Sequence, residues 1–332
     1  MTGRSDEFAR ISRYLAPLTE GFPGAFGLTD DAAIIGPMSD RDIVATTDTM
    51  VAGVHFMSDE RPDLIAAKLL RVNLSDLAAM GAAPLAYLLN IALPASIDDD
   101  WLGAFVRGLA ADQAAFGITL AGGDSVTTPG PPTFTVTALG TVKCGWAIRR
   151  SGARPDDIVY VSGTIGDAAV GLECLQREVA GLTPETRDEL IGRYRLPRPR
   201  VGLGGRLVGL ASAAIDISDG LAADLTHILD ASGVGAELNA AALPLSEALK
   251  AVLAREPDIL TTVLAGGDDY ELLFTVAPGY AARIVKIATD LSLPLTPIGR
   301  IVTEPKLRIV APDGAELKLA RKGWVHGRKD SE

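Results

Sequence analysis

An α/β fold, α+β in the mixed character of its sheets, divided into two domains, is predicted from three observations. The chain has 332 residues, more than the ~250–300 that one hydrophobic core usually serves. Strand-like and helix-like segments alternate through both halves. A polar, turn-rich stretch, RRSGARPDD at residues 149–157, interrupts that alternation and places the boundary between residues 1–148 and 149–332.

The elements follow in order. Residues up to about Asp30 read as a helix and then a Gly/Pro loop, and DIVATTD at 42–48 reads as a strand. Apolar residues at Leu64, Ala67, Leu70, Leu74 and Leu77 have helical spacing; Pro62 suits the first turn and Gly81 the exit. A strand at 85–93, a helix at 99–116, a short strand at 118–121 and an alternating strand at 133–142 complete the first half. In the second, IVYVSG is a strand, a helix opens near Gly166 and Asp167, and the basic RYRLPRPR precedes another helix. AAIDIS at 213–218 is a strand running into a helix near Asp219, with a strand at 270–276, a helix at 279–291 and short strands to Lys318.

Composition narrows the function. With 31 Lys and Arg against 42 Asp and Glu, the formal charge is −11; such a field repels a polyanion, so no nucleic-acid partner is expected. Two cysteines, Cys144 and Cys174, make neither a disulfide scaffold nor a cysteine zinc site. No apolar run reaches the ~18 residues of a membrane span, and the first fifteen residues lack an apolar signal core. The expectation is a cytoplasmic protein with no membrane partner.

The informative residues are aspartates in small-residue surroundings, several of them following an apolar strand: Asp31 in LTDDAA, Asp48 in ATTDTM, Asp76 in NLSDLAAMGA, Asp124 in AGGDSV, Asp216 and Asp219 in AIDISDGL, and Asp268 and Asp269 in AGGDDYEL. Any one of them fits a turn or a helix cap. Six such loops converging would crowd negative charge and demand a cation. Carboxylates with the hydroxyl or carbonyl oxygens of Thr46 and Thr47 are hard ligands suited to Mg2+.

Competing chemistries lack their motifs. There is no Gly-Lys pair and hence no P-loop, no nucleophile elbow and no protein-kinase signature. VGLGGRLVG follows no strand and reads as a glycine face for helix packing. The three histidines form no metal-binding pair; His55, after the Thr-Thr-Asp strand and a Gly53 turn, is the one placed to reach the same cleft. Arg150 is either an exposed boundary residue or a phosphate contact between the domains. Trp324 is either terminal core packing or a flat surface for a ligand.

Taken together, TDDAAII, TTDTMVAGVHF, VNLSDLAAMGA, AGGDS, RRSGARPDD, SGTIGDAAVG, AIDISDGL, AGGDDYELLF and the terminal KGW resemble the thiamine-monophosphate kinases of the AIR-synthetase-like ATP-binding superfamily, from about residue 29 to 324. The resemblance implies ATP as co-substrate, several Mg2+ ions, and phosphorylation of thiamine phosphate to thiamine diphosphate. It implies two α/β domains, with the N-terminal sheets of a homodimer pairing into a shared β-barrel. It assigns Asp31, Thr46, Thr47, Asp48, Asp76, Asp124, Asp216 and Asp219 to metal, and Gly123, Asp124, Arg150 and Ser218 to nucleotide. His55, Asp268 and Trp324 fall to the thiamine phosphate pocket. Thr29 stands where the family usually has Gly, Asp268 where it has Glu, and WVHGR lacks the usual closing aromatic residue. The alternatives are another ATP-dependent enzyme of the superfamily and a non-catalytic Mg-ATP-binding regulatory or assembly protein.

Overall fold

The computed structural model describes residues 26, 29–31, 33–311, 314–317, 319 and 323; the expected N-terminal helix, and Trp324, lie outside them. The first half comprises β1 (Ala33–Met38), β2 (Arg41–Val51), α1 (Pro62–Ala79), β3 (Ala83–Leu93), α2 (Asp99–Phe116), β4 (Thr119–Thr127) and β5 (Thr133–Lys143). Its sheet has the order β1-β2-β5-β3-β4, parallel between β3 and β4 and antiparallel elsewhere. Helix α1 opens with Pro62 at its first turn and buries Leu69, Leu70, Leu74 and Leu77 against the sheet's inner face, where Val44, Phe134 and Val136 alternate inward. Helix α2 is capped by Asp98, whose carboxylate accepts the Trp101 N–H at 2.9 Å, and ends at Gly117 in the left-handed region.

One element departs from expectation. The strand expected at 118–121 continues to Thr127, so Gly122, Gly123 and Asp124 lie within β4 and not in a loop beyond it. Pairing with β3 holds this glycine-rich segment extended, and every residue of β4 is exposed along the sheet edge. Leu85, Leu88, Leu120 and Val126 extend the exposed apolar surface over the two neighbouring strands.

The second half contains β6 (Ile158–Ser162), α3 (Asp167–Gln176), α4 (Pro184–Arg195), α5 (Val201–Leu207), β7 (Ala211–Asp216), α6 (Leu221–Ser232), β8 (Gly235–Asn239), α7 (Glu247–Leu253), α8 (Ile259–Ala265), β9 (Leu272–Val276), α9 (Ala281–Leu291), β10 (Leu295–Val302) and β11 (Leu307–Val310). Its six strands run β11-β8-β10-β6-β9-β7. All five residues of β9 are buried, as a central strand covered on both faces requires.

The two halves meet along α1. A Cβ on Gly204 would stand 2.1 Å from the Ala78 carbonyl oxygen, so glycine alone permits α5 to approach α1 this closely. The VGLGGRL segment is therefore the expected packing face. Ala78, Ala79, Ile148, Leu203, Leu207 and Phe274 share one apolar cluster across the junction. Arg71 secures α1 further, with a paired contact to Asp112 at 2.7 and 2.8 Å and a bond to the Pro197 carbonyl at 3.1 Å. The consequence is positional: the last turns of α1, which carry Asp76, are held against the end of β7, which carries Asp216. Among the described residues, no helix is long and apolar enough to cross a membrane.

Candidate functional site: an acidic cluster at one end of an interdomain cleft

Three carboxylates from distant parts of the chain converge. Asp31, just before β1, Asp76 on α1 and Asp216 at the end of β7 each present an oxygen within 4.8 Å of the others. The Thr46 hydroxyl donates to Asp76 Oδ2 at 2.6 Å. Residues 46 and 48 of β2 share a face by strand alternation, which brings Asp48 beside Asp76.

Crowding shows in the acidities. Burial, more than the neighbouring Asp31 charge, pushes Asp48 up to about 6, against the pull of a hydrogen bond with Asp76. Asp216 is pushed up to about 7 by burial and then by Asp31. Burial, Asp48, Asp216 and Asp31 together hold Asp76 well above the usual carboxylate range.

Arg150 is the cation placed against this group. Its Nε and Nη2 donate to the two Asp31 oxygens at 3.1 and 2.6 Å, and its backbone N–H donates to Asp30 at 2.7 Å. Burial opposes its charge, but the Asp31 carboxylate prevails and raises its affinity for the proton. Of the two sequence readings of Arg150, the exposed boundary residue is thus not the one found.

Ser218 and Asp219 follow β7 in a loop whose shape comes from Asp224 on α6. One carboxylate oxygen of Asp224 accepts the N–H groups of Ser218, Asp219 and Gly220 at 3.1, 3.1 and 3.0 Å. Across from it the 266–270 loop folds back: Asp268 N–H donates to the Ser218 carbonyl at 2.9 Å and Tyr270 N–H to that of Ile217 at 2.8 Å. Asp268 and Tyr270 both take left-handed backbone conformations, with φ of 69° and 49°. Asp48, His55, Ser218, Asp219, Asp268 and Tyr270 line one cleft of about 970 Å³ between the halves.

Other expected residues stand apart. The Thr47 hydroxyl lies on the opposite face of β2 from Thr46 and Asp48, donating to the Val136 carbonyl at 2.9 Å. Gly123 and Asp124 sit on the edge strand, separated from β2 by β5 and β3, and Asp124 accepts the N–H of Ser125 at 2.8 Å. At Gly123, φ is 154° and a Cβ would stand 1.8 Å from the Leu89 carbonyl oxygen, so this position admits only glycine.

The AIR synthase related protein N-terminal domain family matches residues 29–142, and its C-terminal counterpart matches 154–312. A thiamine-monophosphate kinase of Caulobacter vibrioides is 42% identical over 97% of this chain and 91% of its own length. The chain belongs to the thiamine-monophosphate kinase family. Among solved structures, a thiamine-monophosphate kinase from Stenotrophomonas maltophilia is 42% identical with a TM-score of 0.78, covering 94% of this chain and 98% of the other. A structure described as AaThiL complexed with AMPPCP and TMP is 30% identical with a TM-score of 0.79, covering 91% and 97%.

Within this thiamine-monophosphate kinase fold, several cleft residues carried no sequence signal of function. Tyr270 is surrounded by Asp268, Asp48, Asp216 and Asp219, and burial first, then those charges, raise its phenol well above the usual value. Asp224, four residues past the Asp-Gly pair, shapes the Ser218 loop, and burial first, then the Asp219 and Asp216 charges, hold its carboxyl well above the usual range. Lys68 occupies a buried turn of α1, where one charged residue in an apolar helix face was the only available hint.

Proposed function

We propose that this chain transfers the γ-phosphoryl group of ATP to thiamine phosphate, giving thiamine diphosphate and ADP. The observation that carries the reading is the convergence of carboxylates from both halves at one end of a cleft whose other walls hold His55 and Asp268. The chain's membership of the thiamine-monophosphate kinase family supplies the substrates.

The donor set suits Mg2+: the ligands are oxygens only, and their ionised forms are poorly tolerated without added positive charge. We assign Asp31, Thr46, Thr47, Asp48, Asp76, Asp124, Asp216 and Asp219 to metal, and Gly123, Asp124, Arg150 and Ser218 to the nucleotide. His55, Asp268 and Trp324 are assigned to thiamine phosphate. Mg2+ bound there supplies positive charge that offsets the repulsion between donor and acceptor phosphates. The chain's own part is to position two anions and exclude water, the main contribution in phosphoryl transfer. The acceptor phosphate is already ionised near neutral pH, so no general base is required, and transfer is direct and in line without a phospho-enzyme.

Gly123 and Asp124 enter the site in an assembly. A second copy seated on the exposed β4 edge and the apolar residues beside it would close the two five-stranded sheets into a barrel, and the homodimer is part of this proposal. So are a boundary between residues 148 and 149, in the segment joining β5 to β6, and a cytoplasmic location, where ATP is supplied.

One assay decides the activity. ADP release should depend on thiamine phosphate, with thiamine diphosphate detected by mass; ADP release without that dependence would favour another ATP-dependent enzyme of the superfamily.

The cluster also sets a pH dependence. Because the folded protein holds the protons of Asp48 and Asp216 more tightly than the unfolded chain, these groups penalise folding increasingly as pH rises from about 4 through about 6 and 7. The rise in melting temperature on adding Mg2+ to metal-free protein should therefore be several degrees larger at pH 8 than at pH 5. A rise of equal size at both pH values would place the ion elsewhere.

A further inference from the structure

We infer that Lys68 is a positioning residue that fixes the substrate end of the cleft by tying His55 to Asp268, an inference that rests on the activity proposed above. Lys68 belongs to α1, yet its side chain is only 4% exposed. Its Nζ makes three interactions: an ion pair with Asp268 Oδ1 at 3.2 Å, a hydrogen bond donated to the His55 carbonyl at 3.3 Å, and a seat 3.6 Å from the centre of the Tyr194 ring. The Tyr194 hydroxyl donates to the same His55 carbonyl at 3.3 Å. All four residues line the cleft.

These contacts join four separate segments: the turn after β2, α1, α4 and the loop before β9. His55 comes from the N-terminal half and Asp268 from the C-terminal half, and the ammonium bridges them. A buried ammonium is unfavourable unless its donors are satisfied, and burial does lower this lysine's proton affinity against the pull of Asp268. Two oxygens and an aromatic face satisfy it here. The arrangement is thus specific to the charge, since an apolar side chain of the same length would fill the space and leave the His55 carbonyl and Asp268 without it. The loop carrying Asp268 has a left-handed residue at that position, so a fixed partner for the carboxylate also fixes an otherwise unfavourable backbone.

The wiring predicts a separation of substrate effects. Lys68→Met, which keeps most of the side-chain length, should raise the KM for thiamine phosphate by about 10- to 100-fold and leave the KM for ATP within about twofold, a discrimination on the scale of one buried polar contact. Lys68→Arg, which retains a cation for Asp268 and Tyr194, should recover most of that loss. Tyr194→Phe, a milder change that keeps the ring beneath Lys68, should raise the KM for thiamine phosphate about threefold and spare that for ATP. In a double-mutant cycle with Asp268→Asn, the combined variant should be little worse than Asp268→Asn alone.

A structural role without positioning would lower kcat or the melting temperature and move both KM values together. That result, or an unchanged KM for thiamine phosphate in Lys68→Met and Tyr194→Phe, overturns the inference. If Lys68→Met does not fold, Tyr194→Phe gives the same separation or refutes it. Parent protein that makes no thiamine diphosphate would reject the underlying activity instead, so the two failures are distinct.

Discussion

Asp76→Asn should lower thiamine diphosphate formation to below about one-thousandth of the parent rate at saturating Mg2+, and should at the same time raise the melting temperature of the metal-free protein. The first effect follows from its place in the group: Asp76 lies with Asp31 and Asp216, beside Asp48, and under the Thr46 hydroxyl. Removing one preorganised electrostatic contact at a charge-stabilising site costs on the order of 10²–10³ in rate, and Asp76 serves more than one neighbour. The second effect has the opposite sign because the ionised cluster opposes folding. Asn keeps the shape and still accepts the Thr46 hydrogen bond while relieving repulsion from Asp48, Asp216 and Asp31. Turnover assays with Mg2+ and thermal unfolding in chelator test both halves. A rate within tenfold of the parent, or a lower metal-free melting temperature, would mean that Asp76 serves architecture and not the cation site.

Glu271→Ala should produce the largest loss of stability, about 3–5 kcal/mol by urea unfolding, the scale of breaking a buried ion pair from one side. Glu271 is fully buried. Its carboxylate accepts from Ser162 Oγ at 2.6 Å, Arg193 Nη2 at 2.8 Å and Arg200 Nε at 2.6 Å, with a further contact from Arg200 Nη2. Removing it strands two guanidinium groups that have little access to water. Glu271→Gln should lie between parent and Ala, keeping the acceptor oxygen but not the charge. A loss under about 1 kcal/mol in Glu271→Ala would show that water or Asp167 takes over the arginines.

Much of this architecture was legible because its periodicities are strong. The apolar spacing of Leu64 to Leu77 marked α1, and the alternation of 133–142 marked β5 within a residue at its end. The edge strand β4 was not legible past residue 121. Its Gly-Gly-Asp-Ser stretch has weak strand preference, and exposure on both faces removes the alternation that would have revealed it. Only its pairing with β3 makes it a strand.

The site divides in the same way. The aspartates announce themselves because small neighbours and an adjacent apolar segment are local features. Their convergence is not local: Asp31, Asp76 and Asp216 meet only because α1 packs on α5 and abuts β7. Lys68 and Tyr270 stayed hidden for a related reason. A charged or phenolic side chain in an apolar run becomes meaningful when its partners are known, and those partners, His55, Asp268 and the cluster carboxylates, lie far away in sequence. The basic RYRLPRPR likewise read only as a stretch preceding a helix, with no partner in view. Two of its arginines instead neutralise Glu271 inside the second half.

The four consecutive residues from Asp268 to Glu271 are assigned four different duties. Asp268 meets Lys68 at the cleft, and Asp269 accepts the N–H groups at the start of α3 from Gly166 and Ala168. Tyr270 lies among the carboxylates, and Glu271 anchors the arginines. Each of the four being held by different partners, such a run has no slack. A deletion or insertion of one residue here would exchange the occupants of every post at once, so variation in length should be tolerated in the exposed turns of this chain long before it is tolerated in these four letters.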